Sequence, residues 1–296
     1  MMFKLPALVA GLALFATAAQ ARPQVCWVEY SGGDAPGAFG AAGATAAVWH
    51  NTASGFLVRH PKGHVLIDAG WSRAAAAQMA ELSPQKRPVA ERILAALAWR
   101  TSAPEALAKA GESPDHLTWI LPTHAHYDHM AGAEDLPGAP ILLASAEIAF
   151  LDAEARTPDI VAASDIRALR PRFRPIAFKP RPYLGFKESF DVYGDGSVVA
   201  VPLPGHTPGS LGVFLKVGGR TVFDIGDAAF VSEAVEKGLP KNPALRPVVD
   251  NDGDAADAQV KALATFHAAH PQVLIVPAHD RTAWQAVFGP EPRCVD

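Results

Sequence analysis

The feature that most constrains this chain is a cluster of ligand-type side chains placed straight after a short apolar run. Trp119-Ile120-Leu121 leads into Pro122-Thr123-His124-Ala125-His126-Tyr127-Asp128-His129, so three histidines and an aspartate fall within six residues. In an extended loop, side chains two apart point the same way, so His124 and His126 can reach one cation at the ~2.0–2.1 Å that zinc requires. Asp128 and His129 then turn toward a second cation. Four such groups packed at a strand end would be costly without a positive charge between them, because buried polar groups need partners.

Three later segments repeat the pattern of an apolar strand followed by a ligand-type residue. They are Leu203-Pro204-Gly205-His206-Thr207-Pro208-Gly209-Ser210, Asp224-Ile225-Gly226-Asp227-Ala228, and Leu274-Ile275-Val276-Pro277-Ala278-His279-Asp280. The other histidines, at 50, 60, 64, 116, 267 and 270, stand alone and read as ordinary core or surface residues.

The export context comes from the first residues. Lys4, an apolar run from Leu5 to Ala19 and the small-x-small triplet Ala19-Gln20-Ala21 read as a signal peptide over 1–21, with the mature chain over 22–296 as a single domain. The run is interrupted by Pro6 and falls short of the ~20 residues a spanning helix needs, so no membrane anchor is expected in the mature form. A periplasmic or secreted protein sits in an oxidising compartment, and the only two cysteines, Cys26 and Cys294, are expected to pair. The loop-entropy model gives roughly 5 kcal/mol as the upper contribution of so long a closure.

Composition adds exclusions. A net charge of −4 offers no basic surface for phosphate backbones, so no nucleic-acid partner is expected. The one local anomaly is Arg167–Lys187, with seven basic residues and no acidic one, read as a solvated rim that could flank the entrance for anions. The glycines at 37, 40 and 43 lack the spacing of a dinucleotide fingerprint, and 31–43 reads as a flexible flap. Asp250-Asn251-Asp252-Gly253-Asp254 opens like a calcium loop, but its glycine is misplaced and Lys261 stands where the bidentate glutamate belongs. It is read instead as a loop whose Asp254 caps the next helix.

Strands are expected at 25–30, across 55–67, at 119–121, 141–144, within 173–201, at 211–217, 220–225 and 273–276. Helices are expected at 73–82, 88–100, 104–110, 145–151 and 255–270. The alternation is that of an α/β protein.

Taken together, His124-x-His126-x-Asp128-His129 with the later His206, Asp227 and His279 resembles the metallo-β-lactamase superfamily of hydrolases. The resemblance spans nearly the whole mature chain. It implies a four-layered αβ/βα sandwich with the site at the edge between two sheets. It also implies two metal ions: His124, His126 and His206 on the first, Asp128, His129 and His279 on the second, and Asp227 bridging. Zinc is the expected ion, with iron, manganese or cobalt as alternatives. Asp68 in Leu66-Ile67-Asp68-Ala69-Gly70 matches an early aspartate that orients the ligand loop. A hydroxide bridging the two ions would attack the substrate, with Asp128 as ligand and proton shuttle.

Within the superfamily, Tyr127, the Pro-Gly-His-Thr-Pro-Gly-Ser segment and the closing His-Asp most resemble the N-acyl homoserine lactonases. Thioester hydrolysis of the glyoxalase II kind and organophosphate hydrolysis are the alternatives. Asp227 argues against a true β-lactamase, leaving that as a side activity. A zinc-binding protein without turnover is the non-enzymatic reading, and a homodimer stays open. Many lactonases carry a tyrosine where this chain has Phe230, so either the substrate differs or another hydroxyl, Tyr183 or Tyr193, takes its place beside the small-molecule substrate. The lid is expected from 73–110 and 146–193.

Overall fold

The computed structural model describes residues 23–156 and 159–296. The segment read as a signal peptide lies outside the described residues.

Two sheets form the frame. The first contains β1 (Gln24–Pro36), β2 (Val48–His60), β3 (Gly63–Ile67), β4 (Trp99–Arg100), β5 (Leu117–Leu121), β6 (Ile141–Ala144) and β7 (Phe173–Ile176). The second contains β8 (Phe190–Asp191), β9 (Val198–Pro202), β10 (Leu211–Val217), β11 (Arg220–Asp224) and β12 (Val273–Val276). β13 (Cys294–Val295) returns to the first sheet, whose order is β13-β1-β2-β3-β5-β6-β7, with β4 on the outer side of β1. The second runs β12-β11-β10-β9-β8.

Side-chain alternation explains the layers. Phe56 and Val58 of β2 and Val65 and Ile67 of β3 enter the core between the sheets, whereas Leu57 and Leu66 face the opposite core. In the second sheet Val198, Ala200, Val213 and Val222 face inward, and Val199, Val201, Phe214 and Phe223 face outward. Both faces of each sheet are therefore buried, which is why these strands read as near-continuous apolar runs.

Helices close the outer faces, except that the last one, over Arg281–Phe288, packs Trp284 and Phe288 into the core between the sheets. α1 (Gly37–Gly40), α2 (Ala75–Met79), α3 (Arg87–Ala96), α4 (Ala103–Lys109), α5 (Ser145–Glu154) and α6 (Ala163–Leu169) precede the second sheet in the chain. α7 (Ser232–Lys237), α8 (Arg246–Val249), α9 (Gly253–Ala269) and α10 (Arg281–Phe288) follow β11. Met79, Leu107 and Leu151 from the early group pack on the first sheet, and Val235, Val260 and Leu263 pack on the second. The result is the expected four-layered sandwich of helix, sheet, sheet and helix.

Several local expectations change. The segment 31–43 is not a free flap: β1 continues to Pro36 in register with β2, pairing Pro36 with Val48, and only then turns through α1. The helix expected at 88–100 stops at Ala96, because Trp99 and Arg100 pair with Gly32 and Ser31. Cross-strand hydrogen bonds outweigh helix propensity there. The cap of α9 is Asp252, whose carboxylate accepts from the backbone N–H groups of Asp254 and Ala255, while Asp254 pairs with Arg246.

Cys26 and Cys294 are joined as expected, tying β1 to β13 where the two are already in register. Among the described residues no helix is long and apolar enough to cross a membrane.

Candidate metal centre

Each of the seven candidate ligands sits at the C-terminal end of a strand or in the loop just beyond it. His124, His126, Asp128 and His129 follow β5; His206 follows β9; Asp227 follows β11; His279 follows β12. Both sheets thus deliver ligands to one edge.

The structure brings all seven together. Three overlapping groups have ligand atoms within 4.8 Å of one another: His124, His126 and His206; His124, His129 and Asp227; Asp128, His129 and His279. Asp227 stands in the middle. Its Oδ2 lies 3.4 Å from His206 Nε2 and 3.2 Å from His279 Nε2, and its Oδ1 lies 3.3 Å from His129 Nε2.

The hydrogen bonds behind these groups settle which nitrogens face inward. His279 Nδ1 donates to the Thr52 carbonyl at 2.7 Å, so its Nε2 carries a lone pair. His129 Nδ1 donates to Asp68 at 2.8 Å, and His206 Nδ1 donates to Asp250 at 2.8 Å. The inward nitrogens then confront each other: 3.1 Å between His124 and His206, and 3.3 Å between His129 and His279. Lone pairs at that distance repel unless a cation lies between them. Two nitrogens bound tetrahedrally at ~2.1 Å to one ion would be separated by roughly 3.4 Å. Asp227 Oδ1 is likewise buried without a hydrogen-bond donor. The donor set fits metal ions.

Electrostatics differ across the set, with His129 and His279 raised by the carboxylates around them despite burial. Burial, then the neighbouring histidines, holds His124 and His126 well below the usual imidazole range. His206 is lowered by burial and by Lys241. Burial also acts on His129, but Asp68, Asp227 and Asp128 outweigh it and raise the group. Asp227 is driven well below the carboxylate range, against its burial, by His279 and His129.

Asp68 stands behind the ligand loop, where the sequence expected an orienting aspartate. Besides His129 it accepts from the Thr123 backbone N–H at 2.6 Å, and it does so from the left-handed region at φ 57°. An aspartate tolerates that conformation better than most residues. Tyr30 Oη holds the same turn through the Asp68 carbonyl at 2.8 Å.

Two supports carry no motif of their own. Glu147, fully buried on α5, accepts from Ala125 N at 2.7 Å, Thr207 Oγ1 at 2.8 Å and Gly209 N at 2.9 Å, clamping two ligand loops together. A Cβ on Gly209 would lie 2.2 Å from Glu147 N, so only glycine allows the approach. Burial raises the Glu147 carboxyl to about 7. Asp250, read above as part of a plain loop, lies behind His206, and the buried Lys241 contacts both Asp250 and His206 Nδ1, the latter at 2.9 Å.

A cavity of about 290 Å³ opens beside the cluster, and His126, Asp128, Asp227 and His279 line its floor. Its walls correct the expected lid. α3 contributes Val89 and Ile93 and the residue just after it, Leu97, but of 146–193 only Ile160 lines it among the described residues. The β1–β2 arm and the 244–249 segment supply the rest, through Phe39, Trp49, Leu245 and Val249. Phe230 lines the cavity, stacked on Trp49 at 5.7 Å.

Tyr183 and Tyr193 do not line the cavity. Tyr183 packs on Phe214 beyond the second sheet, and Tyr193 stacks on His60 while its hydroxyl donates to the Gly63 carbonyl. The basic stretch is also remote from the entrance: Arg170 pairs with Asp152, and Arg172 donates to the carbonyls of Ala133, Leu136 and Ala139. None of the six solitary histidines joins the cluster.

Residues 50–279 match the family model for the metallo-beta-lactamase superfamily. The chain belongs to that superfamily. The N-acyl homoserine lactonase AttM of Rhizobium radiobacter is 25% identical over 236 residues, covering 77% of this chain and 82% of the relative. A probable metallo-hydrolase of Mycobacterium bovis is 28% identical over 246 residues, covering 77% and 74%. Among solved structures, B. thuringiensis AiiA with N-decanoyl-L-homoserine bound at its active site superposes with a TM-score of 0.66 at 18% identity, covering 91% of this chain and 98% of that one. This superfamily member is thus a hydrolase whose relatives and structural neighbours include metal-dependent lactonases.

Proposed function

We propose that this superfamily member is a dinuclear metal-dependent lactonase that opens N-acyl homoserine lactones or closely related cyclic esters. The observation that carries the reading is the meeting of three overlapping ligand groups on the floor of a mostly apolar cavity. His124, His126 and His206 would hold one ion, Asp128, His129 and His279 the other, and the two oxygens of Asp227 face both sets. Zinc suits the mixed nitrogen and carboxylate donors, with iron, manganese or cobalt as substitutes. Ions held by these residues would supply the chemistry of a lowered water pKa and a Lewis acid for the substrate carbonyl.

The chain's own residues do the remainder. Asp128 lies at the cavity floor, with Oδ2 3.5 Å from His279, where it can pass a proton to the leaving oxygen as well as bind metal. Phe230, Trp49, Ile93 and Leu97 give an acyl chain apolar surface and keep bulk water off the floor. Export of 22–296 behind a signal peptide over 1–21, to the periplasm or beyond, fits the Cys26–Cys294 bridge.

The test is acid release from a long-chain N-acyl homoserine lactone by the zinc-loaded protein, with His126→Ala alongside. Turnover in the wild type, lost in the variant together with much of its metal, is the expected result. Full activity of His126→Ala would refute the site. A metal-loaded wild type inert toward lactones would move the assignment to thioesters or phosphotriesters.

A further inference from the structure

We propose that the phenolic hydroxyl of Tyr127 donates the hydrogen bond that binds the scissile carbonyl oxygen of the substrate, a bond Phe230 has no atom to make. The inference rests on the lactonase reading above and names a residue for it.

The chain has four tyrosines, and the structure separates them cleanly. Tyr30 Oη is spent on the Asp68 carbonyl, Tyr193 Oη on the Gly63 carbonyl, and Tyr183 packs outside the second sheet. Tyr127 alone lines the cavity. Its ring is only 7% exposed, yet among the described residues its hydroxyl has no hydrogen-bond partner and is not one of the polar atoms sealed in packing. The hydroxyl is thus open to the cavity and uncommitted to the protein, so a bound carbonyl can take the acceptor place that water holds.

The ring is held for the purpose. Tyr127 stacks on Trp71 at 5.1 Å and 29°, and the Trp71 indole N–H is itself bound to Ser31 Oγ at 3.2 Å. The donor therefore approaches substrate from a fixed direction and loses little freedom on binding. Tyr127 lines the same cavity as His126, Asp128, Asp227 and His279, so its ring shares the space in which the substrate would meet the metal ligands. One competing donor of the cavity wall is committed elsewhere: Trp49 Nε1 donates to the His279 carbonyl at 2.9 Å.

The tyrosine keeps its proton throughout. As the ring carbonyl becomes tetrahedral its oxygen gains negative charge, and the O–H···O bond strengthens, so the effect belongs in kcat rather than KM.

The experiment compares wild type and Tyr127→Phe, both zinc-loaded, on an N-acyl homoserine lactone and on the matching thionolactone, whose sulfur accepts hydrogen bonds poorly. Metal content and melting temperature are measured alongside. Expected are unchanged metal and melting temperature, a tenfold to hundredfold fall in kcat on the oxygen lactone with KM within about threefold, and a much smaller fall on the thionolactone. Equal activity of the two proteins on the oxygen lactone, or equal penalties on both substrates, would overturn the assignment while leaving the lactonase reading intact. Loss of metal or of thermal stability in Tyr127→Phe would give the hydroxyl a structural role instead. No lactone turnover by the metal-loaded wild type would remove both readings together.

Discussion

His206 and Asp250 are joined at 2.8 Å through His206 Nδ1, which leaves His206 Nε2 aimed at His124 Nε2 across 3.1 Å. A carboxylate behind a ligand imidazole fixes its tautomer and raises its basicity, and such partners typically carry ten- to hundredfold in metal affinity. Asp250→Asn keeps the shape and removes the charge. We expect it to weaken the ion held by His206 by about that factor, with the ion held by Asp128 and His279 little affected. Competition with a chromophoric chelator under stepwise metal loading would read the two sites apart, and an unchanged first affinity would show that Asp250 is not needed.

A second carboxylate marks a stability cost. Asp165 on α6 is buried against Gln78, and burial together with Glu134 and Glu81 raises it to about 8 from an ordinary 3.8. The folded state then holds a proton that the unfolded state releases, so stability is greatest below pH 3.8 and falls as pH rises toward 8. Asp165→Asn removes that loss. The variant is expected to gain on wild type between pH 5 and pH 8, by at most about 4 kcal/mol. Urea titrations at the two pH values would measure it, and a constant difference between the proteins would contradict the assignment.

The Cys26–Cys294 bridge spans 268 residues of sequence and ties the terminal β13 to β1. Replacing both cysteines by alanine should cost roughly 2–5 kcal/mol of unfolding free energy. The metal centre lies at another edge of the sandwich, so zinc content should not change. Denaturant unfolding and metal analysis of the double variant would separate the two effects.

The candidate ligands were legible because their signal is local. His124, His126, Asp128 and His129 sit on one loop after one strand, and strand-end placement marked His206, Asp227 and His279 without any knowledge of what faces what. The supports behind them were not legible, because they come from distant segments with no pattern of their own. Glu147 lies 22 residues from the Ala125 N–H it accepts, and Asp250 lies 44 residues from His206 in a stretch that resembled an ordinary capping loop. The cavity walls were misplaced for the same reason: pairing of Pro36 with Val48 turned an apparent flap into an ordered arm beside the site.

By itself, then, the order of residues marked out the seven candidate ligands, the alternating layers and the cysteine pair, since each depends on spacing along the chain or on there being only two thiols. Tertiary structure decided which nitrogens face inward, which acids stand behind them and which tyrosine opens to the cavity. Those properties depend on what surrounds an atom, and a side chain's surroundings here are set by strands and loops that meet only when the two sheets close.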